Sequence, residues 1–165
     1  DILSFTKADF IKIETDIKNI EIVKYLWQNK IKVVSHIGVT PQKFSNFNNI
    51  RSVGKEKKDI DNLIYLAKKL EEAGSKLIVL ECINLSTSKK ITRQLSIPTI
   101  GIGSSKYCDG QVLVIDDILN FNSKSKKPKF LKNYINIEKI ITRAVKKYSQ
   151  DVKNKKFPLR RHSYF

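Results

Sequence analysis

The sequence predicts an α/β fold with a parallel sheet, arranged as a barrel in which each strand is followed by a helix. Three observations predict it: short β-branched apolar runs with little polar alternation, amphipathic helical stretches between them, and a polar, charged or glycine residue at the end of each run. Continuous apolar strands mark a parallel sheet covered on both faces. Strand–helix alternation builds βαβ units, and in barrels made of such units the functional groups come from the C-terminal ends of several strands.

The expected strands are Phe10–Glu14, Lys32–His36, Leu77–Cys82, Thr99–Gly103 and Gln111–Ile115, and the residues at their ends are Glu14, His36, Glu81, Gly103 and Asp116. Helical spacing runs through Ile20–Gln28 and then through Asp59–Ala73, where Leu63, Leu66, Ala67 and Leu70 share a face and Gly74 is the stop. Ser86–Leu95 follows, opened by a small polar residue. The last helix spans about Asn136 to Lys153, with Ile137, Ile140, Ile141, Ala144, Val145 and Tyr148 at i, i+3, i+4, i+7 spacing.

An open, doubly wound sheet also fits this length, but the strand ends favour a (βα)8 TIM barrel. A complete barrel takes about 250 residues, so the 165 residues here are expected to hold roughly the last five βα units, with the N-terminal strands missing. The absence of any methionine agrees with a start further upstream. One domain over 1–165 is expected, with a solvated, lysine-rich linker at 120–127 before the C-terminal helical segment. The loop from Thr40 to Lys58 is longer than most βα connections, and its place in the barrel is that of a lid over the mouth.

Composition narrows the function. Hydrophobic residues make up 41% of the chain, as in a globular protein, and no apolar run approaches the ~20 residues of a membrane span. The opening Asp1-Ile2-Leu3-Ser4 has no basic region or cleavage pattern of a signal peptide. Cys82 and Cys108 stand apart with no CxxC and only two histidines in the chain, which excludes a disulfide framework and argues against zinc. A reducing cytoplasm is the expected location. The net charge of +16 raises the question of a nucleic-acid partner. The lysines are scattered among Asn and Ile, only Lys124–Lys132 is dense, and no aromatic stacking pattern accompanies it, so nucleic acid is not expected. A basic surface would still draw in anionic substrates.

Four side chains carry the chemistry. In Ile11-Lys12-Ile13-Glu14, residues two apart point the same way, so Lys12 and Glu14 share one face of a strand. Buried there, they are costly unless paired or used: either a structural ion pair, or a cation for an anionic substrate beside a carboxylate for a hard metal ion. Glu81 ends Leu77-Ile78-Val79-Leu80. A lone carboxylate behind four large apolar residues loses hydration and becomes a stronger base, which general-base chemistry near neutral pH requires; the alternative is a Glu turned outward to cap the next helix. His36, taken alone, reads equally as a structural or a functional residue. Gly101-Ile102-Gly103-Ser104 is a weak phosphate signal, since no long helix follows it, and its glycines more simply let the backbone approach a ligand.

The stretch His36-Ile37-Gly38-Val39-Thr40-Pro41-Gln42 resembles the signature of the ketopantoate hydroxymethyltransferases. Val79-Leu80-Glu81-Cys82, Ile97-Pro98-Thr99-Ile100-Gly101-Ile102-Gly103 and Cys108-Asp109-Gly110-Gln111-Val112-Leu113-Val114 follow in that family's order. Pro128-Lys129-Phe130 with Tyr134, and Phe157-Pro158 with His162-Ser163, complete the match over nearly the whole chain. The resemblance implies transfer of a hydroxymethyl group from 5,10-methylenetetrahydrofolate to 3-methyl-2-oxobutanoate, giving ketopantoate for pantothenate synthesis. It implies Glu81 as the base that removes the C3 proton, Lys12 on the substrate's carboxylate or keto oxygen, His36 lining the pocket, and Glu14 at a Mg2+ site. A divalent ion chelated by the 2-oxo acid stabilises the developing enolate. The family also implies a homo-oligomer.

Departures from the family pattern bear on loops and folate contacts rather than on the chemistry: Thr15-Asp16 stand where two glycines are usual, Asn49–Lys55 lacks a glycine and an aromatic, and Arg161 replaces an acidic residue. Two aspartates that complete the family's magnesium site have no counterpart here, so the isolated polypeptide is expected to be inactive. Two other readings stay open: a lyase-type barrel enzyme acting on 2-oxo acids, whose cysteine-containing loop motif is not seen, and a non-catalytic remnant binding a partner through its basic surface.

Overall fold

A computed structural model describes residues 5–40, 51–121 and 128–164. The chain divides into two compact units, Asp1–Val112 with Lys127–Phe130, and Leu113–Lys126 with Leu131–Phe165. The first unit holds a five-stranded sheet made of β1 (Ile11–Glu14), β2 (Val33–Gly38), β3 (Leu77–Glu81), β4 (Thr99–Ile102) and β5 (Gly110–Gln111). All pairings are parallel and the spatial order is β1-β2-β3-β4-β5. A doubly wound sheet reverses its strand order at a switch point; here each strand simply adds beside the one before it, as in a stretch of barrel wall.

Helices α1 (Ile20–Gln28), α2 (Lys57–Glu72) and α3 (Leu85–Gln94) connect the strands. Val33, Ile37, Ile78 and Leu80 project from one sheet face and form a buried core with Val23, Ala67, Leu70 and Ile91 from these helices. Because side chains alternate along a strand, Lys12, Glu14, His36 and Glu81 take the opposite face. Gly74, expected as the stop of the second helix, does end it: its φ is +103°, and its N–H donates to the Glu71 carbonyl at 2.9 Å.

Asp109, one of the family-like motif residues, proves to be structural. Its Oδ2 accepts from the Thr99 N–H at 2.7 Å and from Thr99 Oγ1 at 3.0 Å, tying the start of β4 to the loop before β5. Replacing Asp109 with Ala strands both donors, and the expected loss of stability is about 1–3 kcal/mol, readable as a lowered urea midpoint.

Two expectations need correction. The fifth strand does not run from Gln111 to Ile115 but stops at Gln111, and Asp116 is no strand end. Ile115–Leu119 is instead a short helix, α4, with Asp116 and Asp117 in its first turn; carboxylates are favoured there by the partial positive charge of the exposed N–H groups. The second strand continues past His36 to Gly38, so His36 lies inside the sheet rather than at its rim.

The second unit contains α4 and α5 (Ile137–Lys153). Asn120 closes α4 in the left-handed conformation, with φ +57°. Phe157 packs its ring against Tyr148 at 5.6 Å and against His162 at 5.3 Å. The expected linker at 120–127 falls largely on 122–127, and the expected lid largely on 41–50; both stretches lie outside the described residues. No helix of the described residues is long and apolar enough to cross a membrane.

Candidate active site

The register of the parallel strands assembles the site. Glu14 of β1 is level with His36 of β2, and His36 is level with Val79 of β3. Lys12 thus lies two residues before the partner of His36, and Glu81 two residues beyond its partner on the other side. Long side chains bridge both diagonals. Lys12 Nζ sits 3.2 Å from His36 Nδ1, and His36 Nε2 sits 3.0 Å from Glu81 Oε2. His36 is fully buried at 1% exposure, Glu81 nearly so at 13%, and Lys12 reaches outward to solvent. The Nε2–Oε2 contact is close, yet it lacks the alignment of a hydrogen bond, and Nε2 has no other partner.

Backbone contacts hold this row in place. Thr15, at one departure from the family pattern, clamps β1 to β2: its N–H and Oγ1 both donate to the His36 carbonyl, at 2.8 and 3.0 Å. Asp16 accepts from the Lys18 N–H at 2.9 Å and caps the 3-10 turn Ile17–Asn19. Across β2, Gly38 lies so close to β3 that a Cβ there would fall 2.2 Å from the Glu81 carbonyl oxygen. The Val39 N–H donates to that same oxygen at 3.0 Å.

Immediately after Glu81 the chain turns sharply, with Cys82 at φ +51°. For a residue with a side chain this conformation is uncommon, and it clusters at functional positions. The turn is pinned from the far side of the long loop. The Val53 N–H donates to the Cys82 carbonyl at 3.0 Å, the Asn84 N–H donates to the Val53 carbonyl at 2.8 Å, and Thr87 Oγ1 donates to the Gly54 carbonyl at 2.7 Å. Gly103 (φ +60°) ends β4 beside it, and a Cβ there would meet the Phe130 ring at 2.7 Å. Sequence reasoning singled out neither Gly38, Val53 nor Phe130 individually; only the glycine of the second-strand motif carried any signal.

Cys82 is no nucleophile. Burial first, and the neighbouring Glu81 charge second, push its thiol up to about 11 from 9.0, so it stays protonated at neutral pH. A raised folded-state value means that Cys82 contributes stability below about pH 9, and that this contribution is lost as pH rises towards 11. The expected result is a urea midpoint that falls through this window more steeply in the parent than in Cys82→Ala. Alkylation of Cys82 by iodoacetamide at neutral pH should be slow until the protein is unfolded.

Glu14 stands half-buried near the row, and its backbone carbonyl accepts from the Asn19 side chain at 3.0 Å. Among the described residues no three His, Cys, Asp or Glu side chains converge on a metal-sized space. A magnesium ion takes near-octahedral oxygen coordination, and Glu14 by itself does not provide it.

A parallel sheet that carries a cation, an imidazole and a carboxylate in one row is matched over residues 1–160 by the family model described as ketopantoate hydroxymethyltransferase. This chain belongs to the ketopantoate hydroxymethyltransferase family. It is 47% identical over 163 residues to the 3-methyl-2-oxobutanoate hydroxymethyltransferase of Pelagibacter ubique strain HTCC1062, covering 99% of this chain and 62% of that relative. The protein of the same name from Buchnera aphidicola subsp. Schizaphis graminum is 45% identical over 95% of this chain and 59% of its own length. The one from Saccharolobus islandicus strain L.S.2.15 is 43% identical over 94% of this chain and 57% of its own length. The chain thus spans about six-tenths of the length of these hydroxymethyltransferases.

Proposed function

We propose that this chain carries the proton-transfer half of a hydroxymethyltransferase site that converts 3-methyl-2-oxobutanoate to ketopantoate, with 5,10-methylenetetrahydrofolate as the one-carbon donor. The observation that carries the reading is the Lys12–His36–Glu81 row on the sheet face opposite the helices. A 2-oxo acid brings an anionic carboxylate and a ketone whose neighbouring C–H is weakly acidic. Lys12 pairs with the carboxylate, Glu81 removes the C3 proton, and His36 forms the floor behind them. The carbon so activated forms a C–C bond to the one-carbon unit, whose two bonds to the folate nitrogens break, with water supplying the hydroxyl group and tetrahydrofolate leaving. A carboxylate only 13% exposed, on the same sheet face as Lys12 and His36, is placed to accept that proton.

Magnesium belongs to this reading through the family resemblance, with Glu14 as one ligand; the other ligands would come from outside the described residues. A bound divalent ion would add Lewis-acid stabilisation of the keto oxygen. The steps assigned to Lys12, His36 and Glu81 do not depend on that geometry. The reading also includes closure of the sheet into a (βα)8 barrel, supported by the sequential parallel strand order. It includes a homo-oligomer in the cytoplasm as well, and the exposed apolar stripe Ile141, Val145, Tyr148 and Val152 of α5 supports assembly.

The test is solvent deuterium uptake at C3 of 3-methyl-2-oxobutanoate by the intact enzyme without folate, followed by product formation once folate is added. Absence of both reactions would remove the assignment. Lys12→Met should raise KM for the oxo acid by roughly 10–100-fold, because a charge-assisted hydrogen bond is worth about 1.5–3 kcal/mol. An unchanged KM would take Lys12 out of the substrate site.

A further inference from the structure

Lys12 and Glu81 do not touch, yet both touch the same buried ring. An ammonium group has three donors and no acceptor, so at 3.2 Å from Lys12 Nζ the His36 Nδ1 atom faces it with a lone pair. A ring that accepts at Nδ1 carries its proton at Nε2. That nitrogen is buried, has no aligned partner, and lies 3.0 Å from Glu81 Oε2.

We propose that His36 is a positioning residue for Glu81: Lys12 sets the ring as the neutral Nε2–H form, and the Nε2–H steers one oxygen of the Glu81 carboxylate. The inference rests on the proposed role of Glu81 only for its kinetic consequence; the proton position in the ring stands without it. Lys12 spends one N–H on His36 and keeps two for an anionic ligand, so it can bind and orient at once. A carboxylate held through one oxygen keeps the other free to accept a proton, and catalytic contacts of this kind commonly tighten only when substrate is bound. His36 reaches no reacting atom in this scheme, and its complete burial between β1 and β3 agrees with action through Glu81.

The chain has only two histidines, His36 and His162, so nitrogen-15 histidine labelling gives a spectrum that a single His162→Gln control assigns. At neutral pH the expected result for His36 is one Nε2–H tautomer in the parent protein. Lys12→Met should shift the Nδ1 resonance towards that of an unbonded lone pair, and Glu81→Gln should shift the Nε2–H signal. A ring protonated at Nδ1, or at both nitrogens, overturns the proposal, and the parent spectrum alone decides this even where a variant fails to fold.

The kinetic arm compares amides in the intact enzyme. His36→Gln places its amide near the Nε2 position, whereas His36→Asn reaches only to the Nδ1 position. His36→Gln is expected to keep C3 proton exchange within about tenfold of the parent, and His36→Asn to lose about a hundredfold in kcat with little change in KM. Equal losses in both variants overturn the positioning role. If the parent spectrum shows the expected tautomer while no form of the enzyme exchanges the C3 proton, the proposed function fails and the His36 assignment survives.

Discussion

Replacing Glu81 with Gln is expected to lower the rate of C3 proton exchange by about 10²–10⁴-fold, the usual contribution of a positioned general base. The amide fills the same volume and retains an oxygen to face His36 Nε2, 3.0 Å from the carboxylate in the parent. It accepts no proton at neutral pH, so kcat falls while KM for the oxo acid stays nearly constant. That split separates removal of a base from damage to the pocket. Exchange that persists at the parent rate would place the base elsewhere, and the neighbouring Cys82 thiol, pushed up to about 11, does not replace it.

Gly38→Ala is expected to be the most damaging substitution for the fold of the site. Two effects add. The backbone at Gly38 has φ +104°, a region closed to residues with a Cβ. A Cβ would also fall 2.2 Å from the Glu81 carbonyl oxygen and 2.8 Å from the Ile83 side chain. The first of these is backbone and has no rotamer to give way. Strain of this kind costs about 1–3 kcal/mol, and separating β2 from β3 adds the loss of the Val39–Glu81 backbone bond. The expected total is on the order of 3–5 kcal/mol, read as a lowered urea midpoint, together with a fall in proton exchange because Glu81 moves with its strand. A variant as stable and as active as the parent would show that the strands separate there without penalty.

Much of the scaffold is written in local pattern. The apolar runs expected at Leu77–Cys82 and Thr99–Gly103, and the helical spacing of Leu63, Ala67 and Leu70, are read over a few residues and reappear as β3 and β4, each one residue shorter, and as α2. Errors fall where two local signals compete. Val112, Leu113 and Val114 extend the apolar run of β5, but two aspartates at the start of α4 favour a helix, and the strand is cut short. At β2, a histidine inside an apolar run reads as its end; burial against Lys12 and Glu81 lets the strand continue.

The row itself was legible only as separate members. Alternation puts Lys12 with Glu14, and it leaves Glu81 with Val79, but no local rule says which residue of one strand lies beside which residue of the next. That is a matter of register, and a slip of one residue would turn His36 into the helical layer. The same is true of the close approach at Gly38, the turn at Cys82, and the tie between Val53 and the end of β3.

From the sequence alone came the alternation of strands and helices, the family, and the four side chains on which chemistry was expected, because periodicity and short motifs are properties of neighbouring residues. Only the tertiary structure decided that Lys12, His36 and Glu81 form one connected row, and that Asp109 and Thr15 are structural clamps. Those outcomes depend on distances between strands brought together by packing, and such distances have no image in the order of residues along the chain.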